Sequence, residues 1–393
     1  MKTLGFKLKK ERRWRFDFLL ASCVLFLVGF GVLMVYSASY YQAELTYGDP
    51  YFFMKKQLFG VALGLVGMIT MYFVNYEYLK KIKWVCIGVS VVLLGLVFIP
   101  GVGVKVYGAR RWINLGFTTI QPSEIAKFCF VIFAASSLSK AQRKVKSLKG
   151  ILPTLLIGCL ICLLIIAEPN MSITICVGVT MIAMLFVGGA SFKHFCWLAI
   201  PIILVVPLLI ILEPYRLRRL VAFIDPFASA DSEGFQLVQS LYGISSGGLF
   251  GVGLFNSRQK YLFLPFAESD FIFSIIAEEF GFFGCILLVL IFAIVIARGI
   301  IIAIKAPTRF GCYLATGITT IIAIQLIVNI AVVTGSIPPT GLPLPFISAG
   351  STSLLVFMSA IGVVLNIDKQ SHRSKFTSLT ALSEGQKRQS HLC

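Results

Sequence analysis

Long apolar runs divided by short polar breaks fill this chain of 393 residues. The runs fall at roughly 18–39, 57–76, 84–103, 121–139, 150–167, 170–190, 194–212, 271–297, 311–335 and 345–367. Each approaches the roughly 20 apolar residues that a helix needs to cross a hydrocarbon core. The pattern predicts an all-α integral membrane protein of about ten transmembrane helices. A long extracytoplasmic segment, about 213–270, separates spans seven and eight. The last two spans follow from a length argument. No charge occurs from Phe310 to Ile367, and one helix over that stretch would be roughly 87 Å long against a core of about 30 Å. Pro338-Pro339-Thr340-Gly341-Leu342-Pro343-Leu344-Pro345 must therefore break it. No internal repeat is evident between the halves. The polar tail, residues 369–393, is expected to be disordered, leaving 1–368 as the membrane domain.

Composition agrees: 58% of residues are apolar and only 13% charged, a profile foreign to soluble domains. The net charge of +18 reports topology rather than nucleic-acid binding. Of 35 Lys and Arg, 24 fall in the termini and alternate loops, ten in the opposite loops, and Lys127 inside a span. That is the positive-inside pattern with both termini cytoplasmic. The first apolar run follows Lys7-Leu8-Lys9-Lys10-Glu11-Arg12-Arg13 and is uncharged from Phe18 to Ala43. It is expected to stay as a span rather than be cleaved as a signal peptide. The ten cysteines read as packing thiols, including the Cys159-x-x-Cys162 pair inside a span.

The outer loops then hold the candidate chemistry. His194, His372 and His391 all fall on the cytoplasmic side. A general base outside is therefore expected to be a carboxylate, from Glu44, Asp49, Glu168, Glu213, Asp225, Asp231, Glu233, Glu268 and Asp270. Asp270 directly precedes a membrane helix, where it serves either as a cap or as a base at the membrane surface. Glu124 and Lys127 share a helix face, as a packing ion pair or as the lining of a polar cavity. Glu278 and Glu279 lie about 12 Å below Asp270, and one is expected to face the bundle interior, toward Lys127. Outer basic residues form two groups, Lys105, Arg110 and Arg111, and Arg216, Arg218 and Arg219 with Arg258 and Lys260. They suit lipid headgroups or an anionic substrate such as a lipid diphosphate. The glycine-rich run Gly243–Gly253 lacks the phosphate-loop form and reads as backbone near a ligand or a membrane-dipping turn.

These segments together resemble the SEDS family (shape, elongation, division and sporulation proteins) over nearly the whole chain. The resemblance rests on Gly108–Gly116, Gln121–Lys127, Gly247–Gly253, Asp270-Phe271-Ile272-Phe273, Ala277-Glu278-Glu279 and Thr340–Ser348. Val35-Tyr36-Ser37-Ala38-Ser39 and Asn256-Ser257-Arg258-Gln259-Lys260 look like the division branch, FtsW, more than the elongation branch, RodA. Three segments depart from the family pattern: Pro169-Asn170-Met171-Ser172 stands for Pro-Asp-x-Gly, Phe266-Ala267-Glu268-Ser269 for Glu-x-His-Thr, and Ala349-Gly350-Ser351-Thr352-Ser353 for Tyr-Gly-Gly-Ser-Ser. The resemblance implies a peptidoglycan glycosyltransferase in the bacterial cytoplasmic membrane at the division site, polymerising lipid II and releasing undecaprenyl diphosphate. It implies Asp270 as base, and Arg110, Arg111, Glu124, Lys127, Arg219 and Glu278 around the substrate. It also implies a class B penicillin-binding protein (transpeptidase) and other divisome proteins as partners. The sequence requires no cofactor and shows no dedicated metal ligands; a divalent cation on the diphosphate is compatible with it. Two rival functions fit the same pattern of spans, a flippase for lipid-linked precursors and a non-catalytic divisome scaffold.

Overall fold

The computed structural model describes residues 17–390 apart from 107–108, 115, 117–118, 212–213, 231 and 233. Glu213, Asp231 and Glu233 thus lie outside the described residues, as do the side chains of Lys105 and Arg216. Helix α1 (Phe18–Tyr47) starts on Asp17, whose carboxylate accepts the Leu20 N–H at 3.1 Å, and stops at Gly48 in the left-handed region. Helices α2 (Phe52–Phe73), α3 (Glu77–Lys81) and α4 (Lys83–Leu96) follow. Helix α4 ends short of the predicted 103. The chain instead forms an antiparallel sheet of β1 (Gly103–Val106), β2 (Ala109–Asn114) and β3 (Thr119–Ile120), in that order. This small sheet is a local addition to the helical membrane bundle that the sequence predicts. Its strands are too short to register in a search for twenty-residue runs.

Helix α5 (Pro122–Ala141) opens on proline, whose missing N–H costs nothing at a first turn. It leads through a 3-10 turn, Gln142–Lys146, to α6 (Leu148–Ala167), α7 (Met171–Val187) and α8 (Phe192–Ile211). The segment read as a long loop contains two helices, α9 (Pro214–Ile224) and α10 (Phe235–Gly247). Helices α11 (Ile272–Lys305) and α12 (Arg309–Val333) come next. The proline-rich break follows, and α13 begins at Ser351, later than the predicted 345, and runs to Ser390. Its backbone thus stays helical as far as Ser390, inside the segment expected to be disordered.

Six described helices are long and apolar enough to cross a membrane: α1, α2, α6, α11, α12 and the Ser351–His372 part of α13. The shorter α4 and α7, with α5 and α8, occupy the other predicted spans. Helices α5 and α12 are enclosed by neighbours, whereas α2, α6 and α11 expose Val66, Leu163 and Leu290 on their outer faces. That inversion of the soluble pattern is what a lipid solvent permits.

Helix α11 is broken near its start. Gly281 has φ 65°, outside the helical region. The glycine-rich run fills the gap. Val252 and Gly253 donate backbone N–H groups to the Glu278 and Glu279 carbonyls at 2.9 and 3.1 Å. Phe282 and Phe283 donate to the Gly248 and Leu249 carbonyls at 2.9 and 3.2 Å. Backbone groups in lipid must find partners inside the protein, and here a strand-like segment supplies them. A Cβ on Gly251 or Gly281 would collide with the facing backbone. The glycines therefore serve the close approach of two chain segments.

Candidate functional site

Asp270 sits just before α11, but it does not cap that helix. The cap position is Phe271, and no side chain accepts there. The proline-rich segment 336–350 holds the residues around Asp270 instead. Ala349 N–H donates to the Glu268 carbonyl at 2.9 Å, and the Ser348 hydroxyl to the Ser269 carbonyl at 2.6 Å. Asn329 on α12 donates its amide to the carbonyls of Asp270 and Leu342, at 2.9 and 2.8 Å.

Two arginines flank this segment from different elements. Arg219 on α9 donates to the Pro339 carbonyl at 3.2 Å. Arg111 on β2 donates to the Glu168 carbonyl at 3.3 Å and to the Pro169 carbonyl. Burial and then the Glu268 carboxylate raise the Asp270 pKa to about 6, against the opposing pull of Arg219 and Arg111. Asp270 nonetheless keeps part of its surface exposed. It is ionised at neutral pH yet basic enough to take a proton. Burial also pushes Glu268 up. Glu168, in the turn between α6 and α7, is fully buried, and among the described residues neither carboxyl oxygen has a hydrogen-bond partner. Burial carries it to about 8 despite Arg111, so it is mostly neutral at pH 7.

The other expected residues part company. Arg110 and Arg111 are neighbours on a strand and point to opposite faces. Arg110 turns away from Arg111's partners to donate to the Phe98 carbonyl at 3.2 Å. Glu124 and Lys127 do form the expected pair at 2.8 Å, both buried, with the ammonium 4.7 Å from the centre of the Phe357 ring. Their charges satisfy one another inside α5. Glu278 does face inward, but toward the loop before α11 rather than Lys127. It accepts from the Arg258 and Gln259 N–H groups at 2.8 and 3.4 Å and from the Ser257 hydroxyl. Glu279 accepts from Ser37 at 2.6 Å and Lys260 at 3.3 Å. Lys260, counted among the phosphate-seeking residues, is thus a buried ion-pair partner. Among the described residues no group of three His, Cys, Asp or Glu is placed to hold a metal ion.

Sequence reasoning counted Glu168 only as one of nine candidate outer carboxylates and passed over Asn329. The signal for Asn329 was present, one of two amides, with Gln325, in a long apolar run. Two residues of one departing segment, Pro169–Ser172, also find partners here. Asn170 caps α7 by accepting the Ile173 N–H at 3.4 Å, and Ser172 accepts the Gly341 N–H at 3.2 Å.

A family model described as "Cell cycle protein", covering FtsW, RodA and SpoVE, matches residues 17–373. The chain belongs to this family. It is 41% identical to "Stage V sporulation protein E" of Bacillus subtilis over 357 residues, 90% of this chain and 97% of that one. It is also 41% identical to "Probable peptidoglycan glycosyltransferase FtsW" of Coxiella burnetii over 364 residues, 91% and 98% of the two chains. Among solved structures, a chain of a peptidoglycan synthase complex, described as coordinating polymerization and crosslinking, superposes with TM-score 0.76 at 26% identity. The match covers 91% of this chain and 98% of that chain. The crystal structure of the Thermus thermophilus rod shape determining protein RodA shares the fold, with TM-score 0.65 at 24% identity over 91% and 97%. The fold is therefore that of multi-span family members, and the chain is a membrane protein.

Proposed function

We propose that the Asp270 end of the bundle is the active site of a peptidoglycan glycosyltransferase that polymerises lipid II on the outer face of the bacterial cytoplasmic membrane. The observation that carries this is a partly exposed carboxylate, Asp270, held beside Arg111 and Arg219 at one end of a membrane bundle. Nucleotide sugars are absent outside the cell, so the donor must arrive activated as a lipid diphosphate. The acceptor sugar hydroxyl attacks the anomeric carbon of the donor. A carbon–oxygen bond forms, the bond from that carbon to the diphosphate oxygen breaks, and undecaprenyl diphosphate leaves. Asp270 takes the hydroxyl proton. Arg111 and Arg219 stabilise the charge that grows on the diphosphate. A divalent cation carried on the diphosphate would share that task.

The basic loops support a cytoplasmic position for both termini. Relatives named FtsW and the synthase-complex neighbour support work at the division site beside a class B penicillin-binding protein and other divisome proteins. Asp270→Asn tests the chemistry. It keeps size and removes the base, so polymerisation should fall roughly 100-fold or more while membrane insertion is kept. Asp225→Asn is the control, since its exposed side chain can still accept the Ala228 N–H. Near-normal polymerisation by folded Asp270→Asn would remove Asp270 from the mechanism.

A further inference from the structure

The geometry points to Asn329 and Gly341 as positioning residues that together fix where the Asp270 carboxylate stands. This rests on the reading of Asp270 as the base. Asn329 lies on α12, 59 positions from Asp270 in sequence, and 99% of its surface is buried. Both hydrogens of its amide are committed, one to the carbonyl of Asp270 and one to the carbonyl of Leu342. A single side chain thus ties the backbone of the base to the proline-rich segment. The neutral amide adds no charge that would shift the carboxylate's titration. Gly341 meets the base at its carboxylate. A Cβ there would stand 3.0 Å from Asp270 Oδ2, tighter than ordinary contact. Its own N–H is anchored on the Ser172 hydroxyl at 3.2 Å, so the wall it forms is fixed on α7. The base therefore rests between an amide clamp on its backbone and a wall of bare backbone at its carboxylate.

The charged groups acting on Asp270 are Glu268 in its own segment, Arg219 on α9 and Arg111 on β2. Its position relative to these three sets its basicity. A base that shifts by an ångström loses reach to the acceptor hydroxyl, on the scale of about 100-fold in rate.

The test uses the purified full chain with its partner transpeptidase, lipid II as substrate, and two variants, Asn329→Ser and Gly341→Ala. Rates are taken per folded molecule, with KM and the pH dependence of kcat. The unaltered protein should lose activity as pH falls through about 6, as Asp270 takes up a proton. Each variant should lower kcat by about 10- to 100-fold, leave KM within about twofold, and move that acid limb. A variant that scales the whole profile down with its limb unmoved would show a structural role and overturn the inference. So would kcat within about twofold of the unaltered protein, or loss of folded protein in both variants. Absence of an acid limb in the unaltered protein would instead count against Asp270 as the base. That outcome is distinct from an intact limb that ignores both substitutions.

Discussion

At the scale of single residues, burial decides which charges are available to a substrate. Lys127 and Arg111 are both basic groups in family motifs, yet only Arg111 acts on Asp270. Lys127 is buried against Glu124 at 2.8 Å, and removing either partner strands the other charge in an apolar interior. Breaking such a pair costs about 3–5 kcal/mol, whereas replacing both partners with neutral groups of similar volume is often tolerated. Lys127→Met should therefore sharply lower the yield and melting temperature of detergent-purified protein, and Glu124→Gln in the same chain should restore much of both. Unchanged melting in the single variant would show that the pair does not support the fold. The spacing of Glu124 and Lys127 made this contact legible in the sequence. The separation of Arg110 from Arg111 was not, because it depends on a strand that places neighbours on opposite faces.

At the scale of elements, the sequence pattern locates helices well and interruptions poorly. The proline-rich break before α13 could be read directly, because one helix over the uncharged stretch is too long for a membrane. The break in α11 could not, since Gly281 is one glycine in a run that otherwise reads as continuous. Its cause lies some thirty residues away, in the segment Gly247–Gly253 that donates to and accepts from the opened turn. A contact between segments likewise explains Glu278. One of Glu278 and Glu279 was expected to turn toward Lys127 on another helix, and the partners of Glu278 are N–H groups of the loop upstream of α11. Gly281→Ala tests this element. A Cβ at 281 meets the backbone of Leu249 and Gly251, and φ of 65° is costly for any residue but glycine. The variant should lose the re-entrant pairing. Hydrogen exchange at the Val252 and Gly253 amides should rise, with little change at α5. Protection at those amides equal to that of the unaltered protein would contradict the pairing.

At the scale of the whole molecule, chain topology gathers one site from parts distant in sequence. Arg111 comes from the small sheet, Arg219 from α9, Asp270 from the segment before α11, and Asn329 from α12. Elimination of histidines left nine outer carboxylates, the position before a membrane helix and the family motif singled out Asp270 as the proposed base, and composition pointed to the arginines. It could not show the proline-rich segment as the common support, because those contacts run through backbone carbonyls that any residue type carries. The assembly has the features of an enzyme at one membrane face, and this separates it from a carrier that moves lipid between leaflets and from a scaffold. The deciding measurement places purified protein with its transpeptidase partner in liposomes containing labelled lipid II and separates the products by size. The account predicts glycan polymer, in an amount that collapses with Asp270→Asn. Movement of lipid II between leaflets without polymer, or no change in the lipid at all, would contradict it.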